Sequence, residues 1–286
     1  MKTRLTCLGL FAMLMANSPA PAMAQAERSP LDALPVKVEF AGSAAFATDY
    51  VFNGISLSKN SPAVSGDIGW TLSDIPLSPS FGMFASSLDG IEGGAEIDYI
   101  LGVSQTIDPL TLSVGWVYYQ YPGVSGEDSA LKNEAGEDCD TPSEVTGMIC
   151  RETNEDVGDP LDFYEVTVGL DADFDLGSLG FYYAFSPDYY GSSGLAHYMK
   201  FGWDLPIPVA MLDGLSLTGN VGYQIVEDND VFGVPDYLHW GVGLGYALNQ
   251  FDFAIAYSDT ELSEDECFGG DNVCGARAVF SMGVNF

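Results

Sequence analysis

Four carboxylates, Asp67, Glu96, Asp98 and Glu165, sit in segments where every second residue is apolar, and Lys200, His239 and Arg277 stand in the same kind of pattern. Acids gathered on the wet side of such segments would draw cations and repel anions. They could serve hydrolysis only beside a base and a nucleophile. The chain has two histidines, His197 and His239. His197 shares parity with Met199, Phe201 and Trp203, so it belongs to the apolar side. His239 lies beside Asp236 and Tyr237, but no serine is placed to complete a catalytic set. No enzyme and no cofactor are expected, and there is no dedicated calcium-loop spacing.

The cysteines carry a second chemistry. Cys139, Cys150, Cys267 and Cys274 follow an export-like N-terminus and allow three pairings. Each pair shares one long acidic connection, so the local solution is Cys139–Cys150 with Cys267–Cys274, and metal ligation is the rival reading. No histidine lies near either pair, and an exported chain meets an oxidising setting.

The elements that must position these groups have period two. From Val36 to Asn53 the even positions run Val, Val, Phe, Gly, Ala, Phe, Thr, Tyr, Phe, against Lys37, Glu39, Ala41 and Ser43. That is the alternation of a strand. It recurs near 62–72, 80–89, 95–106, 110–120, 162–173, 179–187, 196–204, 215–225, 236–248, 251–259 and 276–286, about twelve stretches, with 80–89 the least regular. Connections alternate long and short, which in a meander puts all long loops on one side. Aromatics mark both strand ends: Phe40, Trp70, Phe81, Trp203, Phe251 and Phe286 near short turns, and Tyr50, Tyr118, Tyr164, Tyr223, Trp240 and Tyr257 near long loops. These features predict an all-β fold, a transmembrane antiparallel up-and-down β-barrel with short periplasmic turns and long acidic extracellular loops.

The ends agree with that expectation. Residues 1–24 read as a cleaved signal peptide, with Lys2 and Arg4, an apolar run from Leu5 to Met15, and Ala22-Met23-Ala24 at the cleavage point. Residues 25–35 would be a periplasmic lead-in and 36–286 the barrel. The chain stops on Phe286 in mid-alternation, which is similar to the signal that outer-membrane proteins present to their assembly machinery. Localisation in the outer membrane of a Gram-negative cell is expected, with its lipids as partners.

Charge narrows the partners. Nine basic residues face 41 acidic ones, a formal net charge of −32, so nucleic acid is excluded, because phosphate contacts need Lys and Arg. Aromatics at 13% and hydrophobics at 47% argue against disorder. The loops 121–161, 227–236 and 261–274 hold 11, 4 and 5 acids, read as solvation, as a cation-enriching funnel, or as divalent bridging to anionic lipids.

Several stretches together resemble the TorF-type porin family, an outer-membrane group of poorly defined substrate. They are "FATDYVFNGISLSKNSPAVSGDIGW", "EIDYILGVS", "GWVYYQYPG", "DFYEVTVGLDADF", "YYAFSPDYYG", "DYLHWGVGLGYAL", "FDFAIAYSDT" and "ARAVFSMGVNF". The resemblance implies a porin-like role without naming a cargo. The inward face is expected to be small and polar, with Asp67, Glu96, Asp98, Glu165, Lys200, His239 and Arg277 lining a pore for small solutes or cations. A non-conducting structural or adhesive barrel with acidic, disulfide-stapled loops is the competing expectation, as is a lumen closed by Lys200 and Arg277 pairing with the acids.

Overall fold

The computed structural model describes residues 36–89, 94–122, 161–209 and 211–286. The expected signal peptide 1–24, the lead-in 25–35 and the pair Cys139–Cys150 lie outside them.

Twelve antiparallel strands close into a barrel in which each strand pairs with its neighbour in sequence. They are β1 (Lys37–Ala47), β4 (Ala63–Ser73), β5 (Ser78–Ser87), β6 (Ala95–Ile107), β7 (Leu110–Gln120), β8 (Phe163–Phe174), β9 (Gly177–Ser186), β10 (Ala196–Pro206), β11 (Leu215–Val226), β12 (Tyr237–Leu248), β13 (Phe251–Thr260) and β14 (Arg277–Asn285). Between β1 and β4 a small hairpin, β2 (Val51–Phe52) and β3 (Ile55–Ser56), stands apart from the wall. Closure is the pairing of β14 with β1, from Ser43 opposite Asn285 to Ala47 opposite Ser281. Phe286 prolongs this seam by exchanging two backbone hydrogen bonds of 3.0 Å with Gly42. No strand edge is then left in the wall, the condition for backbone to cross a lipid phase.

Alternation decides the faces. On β7 and β8, Leu112 is 51% exposed and Val166 42%, while their neighbours Ser113 and Glu165 are buried. On β5 the doubtful parity resolves with Phe81, Met83 and Ala85 outward and Phe84 and Ser86 inward. The outer face is therefore apolar all round, which is the surface of a transmembrane barrel. Aromatics mark both rims of that band. Phe40, Trp70 and Phe81 form a run with centroids 5.4 and 5.8 Å apart at the short-turn rim, and Trp240 packs on Tyr257 at 5.6 Å near the long-loop rim. His197 lies on the outer face, where its Nδ1 shares a 2.8 Å hydrogen bond with the Tyr183 hydroxyl.

Gly219 shows how tightly the short-turn rim is tiled. A Cβ there would come 2.2 Å from Cζ2 of Trp203 on the adjacent strand. Gly219→Val is expected to push that ring off its seat and cost about 1–3 kcal/mol as overpacking, read as a lowered unfolding midpoint of the refolded barrel.

The structure corrects one strand. The alternating stretch 36–53 is not a single crossing. The wall strand ends at Ala47, and Tyr50 leaves the proposed outer girdle for the interior. The local cause is legible in the residues Asn53-Gly54. Asn53 at φ 47° and Gly54 at φ 87° form a two-residue turn with both central residues left-handed, the geometry that Asn-Gly favours. It turns the chain back where a wall strand would have continued outward.

Candidate functional site

The interior has two halves of different chemistry. From mid-wall toward the short turns the inner face carries small residues, among them Gly115, Gly169, Gly202, Gly241, Gly243 and Ser281. Toward the long loops the expectation of a small, polar face fails. Here Phe84, Ile100, Val117, Tyr119, Phe163, Tyr189 and Tyr237 are buried in one apolar cluster. The β2–β3 hairpin enters that cluster with Tyr50, Phe52 and Ile55. The rings form a continuous chain: Phe52 to Tyr119 at 5.8 Å, Tyr119 to Phe163 at 4.4 Å, Phe163 to Tyr189 at 4.6 Å, and Tyr189 to Phe232 at 5.5 Å. Phe232 ends a one-turn helix, α1 (Asn229–Phe232), in the connection before β12.

The hairpin reaches across the lumen. Asn53 Nδ2 donates to Gln224 Oε1 on β11 at 3.3 Å, and the Tyr237 hydroxyl on β12 donates to the Asn53 carbonyl at 3.0 Å. Gly54 packs so close to this wall that a Cβ would lie 2.6 Å from that of His239. On the other flank the Tyr50 hydroxyl donates to Glu96 Oε1 at 2.6 Å. Burial among apolar walls, reinforced by the charge of Glu96, holds the Tyr50 phenol well above its ordinary pKa, so it stays a donor at any physiological pH.

The carboxylates named in the sequence all lie on inner faces. Glu96, Asp98 and Glu165 are buried within the long-loop half, Glu96 and Asp98 nearer the mouth than Ile100 on the same strand and Glu165 level with Val117. Glu165 accepts from the Tyr119 hydroxyl at 2.9 Å, while both oxygens of Asp98 are buried with no hydrogen-bond partner among the described residues. Asp67 sits deeper, toward the short turns, and accepts from the Ser43 hydroxyl on the paired strand. Cations are sparse and separated. Lys200 Nζ lies 5.7 Å from the Tyr182 ring centroid. His239 shares a 2.8 Å hydrogen bond through Nε2 with the Tyr198 hydroxyl. Arg277 pairs with Asp49 at 3.2 Å rather than with Glu96, Asp98 or Glu165. For Arg277 the partner differs from the lining acids that the sequence suggested, because residues 48–62 place the Asp49 carboxylate over the arginine.

Asp49 is the residue the sequence reading missed. Its Oδ1 accepts from the Ser56 and Ser58 hydroxyls at 2.5 and 2.8 Å, and its Oδ2 accepts from Arg277 Nη1. One carboxylate thereby ties both ends of the hairpin to β14. A disulfide joins Cys267 and Cys274 in the connection before β14.

A closed, lipid-facing barrel with a polar inner half and an inserted hairpin defines the class of protein. The chain belongs to the Gcw_chp family, described as bacterial protein of unknown function, which matches residues 34–156 and 152–286. None of the curated proteins matches it. Among solved structures it is similar to the NanC porin at 10% identity, over 87% of this chain and 99% of that one, TM-score 0.47. It is also similar to the KdgM porin at 7% identity, over 86% and 98%, TM-score 0.47. An outer membrane channel from Pseudomonas putida F1 matches at 10% identity, over 91% and 99%, TM-score 0.45. These likenesses span most of each chain and are loose.

Proposed function

We propose that the protein is an outer-membrane, porin-like channel of the TorF type for passive diffusion of small solutes, with a preference for cations. The observation that carries this reading is the inner half of the lumen. Its wall is lined by small and polar residues, among them Gly115, Gly169, Gly241, Gly243, Ser281 and Asp67, and twelve strands lie between the roughly eight that side chains fill and the roughly sixteen that leave a channel. The cation preference is supported by Asp67, Glu96, Asp98 and Glu165 facing inward while Arg277 is neutralised by Asp49. In this reading residues 1–24 direct export and Phe286 is the feature that the assembly machinery recognises. Neither role involves catalysis.

A second reading, a non-conducting structural or adhesive barrel, is favoured by one observation: the long-loop half is packed with aromatic side chains. Planar-bilayer recording of the refolded chain separates the two. Discrete steps whose reversal potential follows the cation gradient are the expected result, and silence at high protein load that persists when residues 49–60 are replaced by a short Gly-Ser linker would favour the second reading. The quadruple variant Asp67→Asn, Glu96→Gln, Asp98→Asn, Glu165→Gln should move the reversal potential toward the anion value. An unmoved potential would remove these acids from the permeation path.

A further inference from the structure

The hairpin that enters the lumen cannot hold itself there. Its ladder comprises two residue pairs, Val51 with Ser56 and Phe52 with Ile55, and an isolated two-stranded hairpin is marginal even when longer. Its seat depends on its surroundings: Tyr50, Phe52 and Ile55 pack into the aromatic cluster, and a polar grip comes from the connection between β13 and β14. Arg277, at the root of that connection, pairs with Asp49, and both side chains are less than a tenth exposed. The same guanidinium donates to the Gly275 carbonyl through Nε at 3.0 Å and to the Val273 carbonyl through Nη2. From the hairpin side, the Ser56 amide donates to the Val273 carbonyl at 2.8 Å and Asn60 Nδ2 to the Asn272 carbonyl at 2.7 Å. Both acceptors fall within the segment closed by Cys267–Cys274, and the Thr260 hydroxyl fixes its far edge through the Cys274 carbonyl at 2.9 Å.

We propose that residues 48–62 are a plug and that the disulfide-closed loop 261–276 is the external latch that keeps it seated. Conduction is then set from the cell surface, by whatever pulls that loop away from Asp49, Ser56 and Asn60. The proposal rests on the channel reading above. Its physical basis is the asymmetry of the contacts. The tip meets the opposite wall through the Asn53 amide and carbonyl, at 3.3 and 3.0 Å, and through Gly54 against His239. The base is held by a buried ion pair, and losing one partner of such a pair strands an uncompensated charge. The disulfide limits the backbone conformations open to the loop, so the carbonyls of Asn272 and Val273 stay aimed at the plug.

The test uses the full mature barrel, refolded, with folding verified by its heat-dependent electrophoretic shift. Plug seating is read without reference to conduction: Asn53→Cys with Gln224→Cys should cross-link on oxidation, mapped by mass spectrometry, and hold the channel closed. Arg277→Gln, and separately Cys267→Ser with Cys274→Ser, should lower that cross-link yield. In otherwise wild-type cysteine-free positions at 53 and 224, each should raise the open fraction in planar bilayers at least about tenfold, a small share of what a broken buried pair can release. A barrel with residues 49–60 replaced by a short Gly-Ser linker is the reference for an emptied lumen. If that barrel conducts while both latch variants keep the wild-type open fraction, the latch is wrong and the channel stands. If the emptied barrel is also silent, the channel reading falls and takes the proposal with it.

Discussion

Val114→Arg destabilises the barrel by about 2–4 kcal/mol, the cost of an arginine on the lipid face near the bilayer midplane. Val114 is the central outward residue of β7 and is 43% exposed, flanked by the outward Val103 and Val168 on the strands either side. A cation there has no inward route, because its neighbours in the ladder are valines and its own strand screens it from the lumen. The contrast is Ser281→Lys on the inner face of β14, which is expected to change stability by no more than the ±0.5 kcal/mol typical of a solvated site. Urea titration in lipid vesicles measures both. Equal costs at the two positions would mean that the apolar face does not meet lipid.

Tyr119→Ala is expected to cost about 3–5 kcal/mol, in the range of large aromatic truncations in a packed core. The ring is almost fully buried between Phe163 at 4.4 Å and Phe52 at 5.8 Å, so its loss opens a cavity between wall and plug. It also takes away the hydroxyl that donates to Glu165 at 2.9 Å. Tyr119→Phe separates these contributions. It keeps the packing and leaves the buried Glu165 carboxylate without that donor, for about 1–3 kcal/mol. If the alanine variant unfolds at the wild-type midpoint, the long-loop half is not a packed core, and the plug has no seat on that flank.

Most of the wall was legible in the residues. Alternation along β6, β7, β8, β11 and β12 named the lipid side and the lumen side correctly, because period two is set by the pleat of a single strand. The short turns were equally readable, since each is decided by a few adjacent residues. The hairpin was not, although its signal was present: Asn53-Gly54 inside "YVFNGIS". The even-position apolar pattern ran straight through it, and Tyr50 and Phe52 fit an outer girdle as well as an inner plug. The Cys267–Cys274 bridge could be read because both ends lie in one connection. The clamp of Asp49 on Arg277 could not, the partners being 228 positions apart.

The residues alone determined a twelve-strand wall with a greasy outside, since hydrophobic alternation and turn chemistry act over a handful of neighbours. What fills the cylinder was decided only in three dimensions. Twelve strands lie between the roughly eight that wall side chains fill and the roughly sixteen that leave a channel, so the same inward pattern suits an open pore or a lumen entered by its own loop. The choice between them is made by contacts such as Asn53 with Gln224 and Asp49 with Arg277, which exist only once closure of β14 on β1 has brought distant segments to the same mouth.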